Sequence, residues 1–264
     1  MNTSKIILNW DEYNFAAWTP WAWTNKYIDK YYLNWTEYKI KFENWWQPWA
    51  NTILYYDFEH TSWTTETNLA TWQSWYNGTY SGTPTIWTLS SWKKYFNTWW
   101  NTYLETNSWF STVNYGNCTV CIWMNVVETW NKSLFWQSWR NTPSQYWTIF
   151  CERFSNWDYQ VEIWKAIWLN VSGASWWQLL IMTSDGSTLN VYRNGNTTPI
   201  ASKSATAWNA NSTKLYVWWA VWYWNTSPGI WNAYFGSFIV ENKVWTTQEM
   251  SDYFDQTKSL YWIS

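Results

Sequence analysis

The stretch Cys118-Thr-Val-Cys-Ile-Trp-Met-Asn-Val-Val127 decides the fold class that the sequence predicts. It combines β-branched, aromatic and other apolar residues, which is typical of a buried strand. Leu189-Asn-Val-Tyr-Arg193 alternates apolar and polar residues, the pattern of a strand with one buried face. The Asn194-Gly195 pair that follows it is the strongest short signal of a hairpin turn.

The rest of the chain repeats this alternation of short strands and turns. Predicted strands cover residues 53–59, 102–105, 118–126, 148–152, 159–163, 178–183, 188–193, 214–217 and 234–241. One helix is predicted from Thr247 to about Leu260, where Thr246 and Glu249 form a capping box. Regular short strands with turn signals predict an all-β chain, an antiparallel β-sandwich of the jelly-roll type with one short C-terminal helix and small N-terminal β-hairpins.

The composition is abnormal for such a fold. The 264 residues include 34 Trp but only 8 Gly, and Gly at about 3% is less than half of the usual 7% or so. Many Trp occupy positions where β proteins carry Gly, for example after Asn in Asn9-Trp10 and Asn34-Trp35. Others form doublets in polar surroundings: Trp45-Trp46, Trp99-Trp100, Trp176-Trp177 and Trp218-Trp219.

We hypothesise that most of these Trp are glycine in the natural polypeptide, because its source reads the codon UGA as glycine. A Trp in a turn that requires positive φ would pay a steric penalty that glycine avoids. The alternative is an authentic Trp-rich chain that uses indole rings to stack on sugars. Three positions favour real Trp: Trp123 within its strand, Trp245 as the apolar residue before the helix cap, and Trp109.

Composition also excludes several function classes. The formal net charge is −2, which does not suit a protein that binds nucleic acid by neutralising phosphates. The longest apolar stretch, about residues 215–224, is too short for a transmembrane helix. The N-terminus shows no secretory signal pattern. Three Cys are too few for a disulfide framework.

The first fifty residues differ from the remainder. Leu8-Asn-Trp-Asp-Glu-Tyr13 recurs as Leu33-Asn-Trp-Thr-Glu-Tyr38, and each copy predicts a small hairpin. Such hairpins are marginally stable alone, so residues 1–50 are interpreted as a segment that docks on another chain. The alternative is that they add strands to the main sandwich. Residues 51–264 form the predicted main domain.

With glycine at the suspicious positions, residues from about 53 onward resemble the laminin-G-like, concanavalin A-like jelly-roll domains. The resemblance rests on Leu54-Tyr-Tyr-Asp-Phe-Glu59, on the strand around Trp123, on the hairpin ending at Asn194-Gly195, and on Phe235–Met250. Trp245 departs from the pattern, because the family usually has Leu there. The N-terminal hairpins resemble segments that begin many bacteriophage tail and virion proteins.

The family includes glycosidases, which use paired carboxylates on one strand face. Asp57 and Glu59 have that spacing but lie in the predicted first strand, not in the family's catalytic strand, and Glu152 stands alone beside Arg153. His60 is the only His, with no nucleophile motif beside it. The sequence therefore predicts no catalytic residues and a protein that is not an enzyme.

Metal and cofactor signals are weak. Cys118 and Cys121 are three apart, so in a strand they point to opposite faces and cannot share a metal. With Cys151 they are interpreted as buried, reduced core residues. No cofactor is predicted; calcium is common in the family, and Asp57, Asp158 and Asp185 are conceivable ligands. Sequons at Asn77, Asn117 and Asn211 are interpreted as accidents of an Asn/Thr-rich chain.

The predicted function is a non-enzymatic bacteriophage virion protein of a tail, fibre or decoration. Residues 1–50 would bind other virion subunits, and the jelly-roll domain would decorate the particle or bind host-surface glycans weakly in many copies. We expect no nucleic-acid partner, no membrane insertion, and a multicopy or homo-oligomeric virion component made in the host cytoplasm. The alternatives are a bacterial surface adhesin or appendage subunit, extracellular or cell-surface, and, ranking lower, a glycan hydrolase.

Overall fold

The structure, a computed structural model, describes residues 4–8, 11–15, 30–33, 36–39, 50–59, 64–70, 74–82, 85–91, 93–97, 103–108, 116–127, 132–138, 147–153, 158–163, 169–173, 176–204, 214–217 and 233–261. Its contacts divide the chain into two units, Met1–Asn44 and Trp45–Ser264. The assignment of residues 1–50 to subunit docking stays a prediction. His60, Trp109 and Asn211 lie outside the described residues.

The first unit contains two antiparallel strand pairs at the two sequence repeats. They are β1 (Ser4–Leu8) with β2 (Asp11–Phe15), and β3 (Lys30–Leu33) with β4 (Thr36–Lys39). The register pairs Leu8 with Asp11 and Leu33 with Thr36. Each repeat is therefore a hairpin whose strands are joined by two residues, as the sequence predicts.

The second unit is an antiparallel β-sandwich with one short C-terminal helix. Its strands are β5 (Thr52–Tyr56), β6 (Thr65–Glu66), β7 (Gly78–Ser81), β8 (Thr85–Thr88), β9 (Lys94–Asn97), β10 (Tyr103–Thr106), β11 (Cys118–Val126), β12 (Lys132–Ser138), β13 (Trp147–Arg153), β14 (Asp158–Ile163), β15 (Leu169–Ser172), β16 (Gln178–Ser184), β17 (Thr188–Arg193), β18 (Ala201–Ser204), β19 (Leu215–Val217) and β20 (Ala233–Glu241). The helix α1 spans Thr247–Thr257, and two 3₁₀ turns span Ser74–Tyr76 and Lys258–Tyr261.

The strands form two sheets. The helix-covered sheet has the order β18-β17-β16-β11-β20-β9-β8, and β5 also pairs with β20. The opposite sheet has the order β15-β14-β13-β12-β19-β10-β7-β6. Every pairing in both sheets is antiparallel, so the predicted fold class is confirmed.

The central strand β11 is buried on both faces. Cys118, Val120 and Ile122 belong to the core between the sheets, whereas Cys121 and Trp123 belong to a second apolar cluster under α1. This division follows from the alternation of side chains along a strand. It explains why the stretch is an almost continuous apolar run, which is typical of strands covered on both sides.

Helix α1 begins as the sequence predicts. The Thr246 side chain accepts a hydrogen bond from the Glu249 backbone N–H, and the Glu249 carboxylate accepts one from the Thr246 N–H, which completes the capping box. Trp245 before the cap and Met250 after it are both buried in the cluster under the helix. The α-helix ends at Thr257, three residues before the predicted end, and continues as a 3₁₀ turn.

Trp123 joins the sheet to the helix. Its ring is stacked between Phe254, at 5.8 Å, and Tyr261, at 4.4 Å between centroids. Its indole Nε1 donates a hydrogen bond of 3.0 Å to Thr257 Oγ1. Burial is complete, so this side chain contributes both apolar area and a satisfied polar group.

A buried carboxylate fixes the other end of the helix. Glu241 accepts hydrogen bonds from Thr52 Oγ1 at 2.6 Å and from Trp245 Nε1 at 2.6 Å. It lies at the end of β20, next to the start of β5. Burial raises the pKa of Glu241, and the hydrogen bonds from Thr52 and Trp245 oppose that rise only in part.

None of the helices in the part of the chain that the structure describes has the length and apolarity needed to cross a membrane.

We expect Trp123→Ala to lower the free energy of unfolding by about 3–5 kcal/mol, because it leaves a cavity and removes the indole N–H that donates to Thr257 Oγ1. The matched control is Trp87→Ala, whose side chain is 51% exposed and whose loss should change stability by no more than about 0.5 kcal/mol. Urea denaturation measures both. Equal losses in the two variants would contradict the role given to Trp123.

We expect Glu241→Gln to gain stability relative to the parent chain as the pH rises above about 4.3, the usual value for Glu. A raised folded-state pKa stabilises the fold below the unfolded pKa, and that contribution is lost as the pH rises through the folded pKa. Gln does not ionise, so the variant keeps it. Urea denaturation at acidic and neutral pH measures the difference.

Glu249→Gln is the control of opposite sign. Partial burial opposes the shift, but the hydrogen bonds from Lys243 and Thr246 leave the pKa of Glu249 lowered. Its contribution is present above the unfolded pKa and is lost as the pH falls. Glu249→Gln should therefore lose stability relative to the parent as the pH rises, and the same trend in both variants would contradict the assignment.

Candidate functional site

The carboxylate pair that the sequence singles out lies in a loop and not on a strand face. Strand β5 ends at Tyr56, so the expectation that Asp57 and Glu59 share one face of a strand is wrong. Asp57 Oδ1 accepts a hydrogen bond of 2.9 Å from the Glu59 N–H. Glu59 forms an ion pair of 3.3 Å with Lys93. These contacts hold the loop in place.

This loop contains a backbone position that needs such anchoring. Phe58 is buried and has a φ of 61°, a conformation that costs a bulky residue about 1–2 kcal/mol. Its N–H donates a hydrogen bond of 3.0 Å to buried Glu66, and its ring stacks on Phe96 at 6.0 Å. Lys93 Nζ donates a hydrogen bond of 2.8 Å to Asp57 O. The charged residues here serve the fold.

The outer face of the opposite sheet combines polar and aromatic residues. Strand β10 alternates inward Leu104 with half-buried Tyr103 and Glu105, and β19 places Tyr216 between inward Leu215 and Val217. The register pairs Glu105 directly with Tyr216. Directly paired residues share a face, so both side chains lie on the outer face.

We call Tyr103, Glu105, Lys214 and Tyr216 the tyrosine patch. The two rings lie 6.2 Å apart between centroids, with a tilt of 55°. Lys214 Nζ donates a hydrogen bond of 2.9 Å to Glu105 Oε1. Burial, then the Glu105 carboxylate, raises the pKa of Tyr216 to about 12, and the two side chains share a hydrogen bond. The phenol is therefore neutral and held in one orientation at neutral pH.

The same register continues the row across the sheet. Tyr216 pairs with Trp136, Trp136 with Phe150, and Phe150 with Glu162. These pairings place Glu105 and Tyr216 in one row of backbone positions that runs across β10, β19, β12, β13 and β14.

The sequence suggests that Glu152 is isolated, but the strand register contradicts this. It pairs with Gln160 of β14, so Asp158 and Glu162, two residues to either side, occupy diagonal positions. Diagonal neighbours on antiparallel strands are about 7–8 Å apart. Sequence reasoning missed this group because the hydrophobic pattern of β13 and β14 does not reveal their pairing register.

The three cysteines occupy the positions expected of core residues. Cys118 and Cys151 lie between the sheets, whereas Cys121 lies under the helix. The two cysteines of the C-x-x-C pattern, Cys118 and Cys121, therefore face opposite sides of the sheet. All three are buried and none forms a disulfide. Burial raises the pKa of Cys118 to about 12 and raises the pKa of Cys121 well above its ordinary value, so these two thiols are neutral at physiological pH.

The conceivable calcium ligands do not converge. Asp57 lies in the loop after β5, Asp158 begins β14, and Asp185 lies in the turn before β17. Hydrogen bonds from Ser187 and Thr188 lower the pKa of Asp185 and hold it as a turn residue. Within the described ranges, no three His, Cys, Asp or Glu side chains are grouped to hold a metal ion.

Exposed aromatic side chains also occur away from the tyrosine patch. Trp75, Trp87 and Trp176 are 58%, 51% and 63% exposed. Trp87 lies 6.5 Å from the Tyr95 ring on the helix-covered sheet. If the chain is authentically Trp-rich, these exposed indoles are groups that would stack on sugars. They are therefore an alternative to the tyrosine patch as a binding site.

Comparisons with known proteins identify the fold. No protein-family model and no curated protein matches the sequence. Among solved structures, a Trypanosoma rangeli sialidase in complex with sialic acid aligns with a TM-score of 0.59 and 11% identity over 82% of this chain. The chain spans only about a third of that sialidase, 34% of its length.

Two further solved structures align with similar TM-scores. The binding domain of botulinum neurotoxin DC in complex with SialylT aligns at TM-score 0.58 and 13% identity, covering 80% of this chain and 52% of that one. Domain 4 of AbnA, a GH43 extracellular arabinanase from Geobacillus stearothermophilus in complex with arabinotriose, aligns at 0.55 and 15%, covering 77% and 98%. At these identities the likeness establishes a shared β-sandwich fold.

Proposed function

We propose that the second unit is a non-enzymatic glycan-binding domain that uses the tyrosine patch. The observation that carries the proposal is the pairing of two tyrosine rings with a carboxylate and an ammonium on one sheet face. Sugars present apolar C–H faces and hydroxyl groups, so they suit sites that combine aromatic rings with a few placed polar groups. Glu105 and Lys214 supply an acceptor and a donor beside the rings.

The charge of the patch favours neutral sugars. Glu105 and Lys214 form an ion pair of 2.9 Å and neutralise one another, so the four residues of the tyrosine patch carry no net charge. A sialic acid carboxylate would have to compete with Glu105 for Lys214. We therefore infer that neutral oligosaccharides bind better than sialylated ones.

The structural neighbours support a glycan ligand in general. Two of them are bound to sugars, one to sialic acid and one to arabinotriose, and a third is a binding domain in complex with SialylT. A shallow patch of this kind binds weakly at each site. Many copies on one particle would raise the overall avidity without any new contact.

We propose further that the protein is part of a bacteriophage virion, with residues 1–50 bound to other subunits. The support is the pair of N-terminal hairpins, which recur with the same Leu-Asn-Trp-x-Glu-Tyr sequence. Each pairs only two short strands, which is too little to be stable without a partner. A bacterial surface adhesin remains the alternative and would be found on cells instead.

We expect Tyr216→Ala to weaken binding to neutral oligosaccharides about tenfold, because truncating a central aromatic anchor costs more than about 1 kcal/mol. The probes are arabinotriose and a panel of neutral and sialylated oligosaccharides, measured by calorimetry. Tyr216→Phe should retain the ring stacking and lose only the hydroxyl contacts. Chromatography of the same mixtures detects any hydrolysis.

The matched control is Tyr234→Ala, which removes a half-buried tyrosine from the helix-covered sheet. It should bind like the parent chain. Loss of binding in Tyr234→Ala and not in Tyr216→Ala would place the ligand on the other sheet. Absence of binding to the whole panel would contradict the glycan proposal and leave a structural role.

We expect purified phage particles from the source culture to contain this protein, and mass spectrometry should detect its peptides in them. Cross-linking should connect residues 1–50 with another virion protein, because the hairpins carry the contact. Recovery of the protein only from cell envelopes would contradict the virion proposal and favour the adhesin.

A further inference from the structure

We propose that the Trp residues of this chain are of two chemical kinds, and that the structure separates them. Residues 10, 35, 75, 87 and 176 are glycine in the natural polypeptide, whereas Trp123, Trp177 and Trp245 are tryptophan. Each of these positions receives its own assignment, and none of the assignments depends on the glycan-binding proposal or on the virion proposal.

The N-terminal hairpins supply the first argument. The Cα partners Leu8 and Asp11 close one hairpin, and Leu33 and Thr36 close the other. Only Asn-Trp is left to connect the strands in each case. Two-residue connections favour type I′ turns, which require positive φ at both residues and carry Asn-Gly most often.

The chain contains a described turn that serves as a template. Asn194 and Gly195 have φ of 51° and 69°, and the Asn196 N–H donates a hydrogen bond of 3.0 Å to Arg193 O. A Cβ at position 195 would approach Phe254 Cβ to 2.7 Å. Asn followed by Gly is thus how this protein makes such a turn. Trp at the second position would cost about 1–2 kcal/mol per turn.

Buried Trp residues satisfy the requirements of an indole. Trp123 donates its N–H to Thr257, and Trp245 donates its N–H to Glu241. Trp177 is buried, packs edge-on against Tyr95 at 5.6 Å, and contacts the tilted ring of Tyr261 at 4.9 Å. Glycine at any of these positions would leave a large cavity in the cluster under α1.

Three other Trp residues are mostly exposed. Trp75, Trp87 and Trp176 each leave more than half of the side chain in water. An indole carries about 150–250 Å² of surface whose burial is its main contribution to stability, so exposure forfeits that gain and promotes association. Trp176 and Trp177 are adjacent, yet one is exposed and the other buried. The hypothesis that both members of this doublet are glycine is therefore replaced by an assignment of Trp to position 177.

A difference in codon use would produce two kinds of Trp in one translated sequence. If the source reads UGA as glycine, a table that reads UGA as Trp writes Trp at those positions, whereas UGG is Trp in both readings. The structural partition therefore predicts the codon at each position. Positions 123 and 87, for example, should carry different codons because they encode different residues.

The test is the nucleotide sequence of the gene in its source. We expect UGG at positions 123, 177 and 245, and UGA at positions 10, 35, 75, 87 and 176. UGG at all eight positions would overturn the proposal. UGA distributed over both groups would overturn the residue-by-residue assignment.

Peptide mass spectrometry of the protein isolated from its source is the second measurement. Peptides that contain positions 10, 35, 75, 87 or 176 should be lighter than the written sequence by the mass difference between Trp and Gly at each position. The tryptic peptide 244–258, in which Trp245 is the only written Trp, should match it. In the peptides that contain positions 123 and 177, fragment ions should locate an unshifted Trp at those positions. Unshifted masses at the exposed positions would overturn the proposal whatever the codons are.

Discussion

The two-sided burial of β11 is the constraint on which the second unit depends. Alternate residues of Cys118–Val126 enter the core between the sheets and the cluster under α1. A register slip of one residue would exchange these two sets and would move Trp123 away from Thr257. β16 and β20 flank this strand and are themselves almost wholly buried. The helix that covers them is therefore a required layer of the sandwich, and its capping box fixes where that layer begins.

The sequence was sufficient where local chemistry decides structure. The bounds of β11 and β17 were predicted without error, because each strand is apolar or alternating between clear turn signals. The capping box predicted the start of α1 for the same reason. Seven strands were missed: β6, β7, β8, β9, β12, β15 and β18. Most are short or polar, so their periodicity is weak, and pairing with neighbouring strands stabilises them. Asp57 and Glu59 were placed on a strand because the pattern does not show that Phe58 turns the chain with positive φ.

The candidate site could not be predicted from the sequence, for a related reason. Glu105 and Tyr216 are far apart in the sequence, and only the register between β10 and β19 brings them together. Likewise Glu152 gains its acidic neighbours through the register between β13 and β14. A sequence can indicate which residues face outward on each strand, but the order of strands in a sheet depends on long-range packing that no local pattern specifies.

The identity of the Trp residues bears directly on where a sugar would bind. Were Trp87 and Trp176 authentic, their exposed rings would be the strongest stacking groups on the described surface, and the site would belong to the helix-covered sheet. With glycine at those positions that rival disappears, while the tyrosine patch is unchanged because it contains no Trp. Tyr103 and Tyr216 then remain as the aromatic pair beside an ion pair on the outer face. The identity of residues 87 and 176 therefore does not alter the tyrosine patch itself. If both are glycine, however, the main alternative binding site on the described surface is removed.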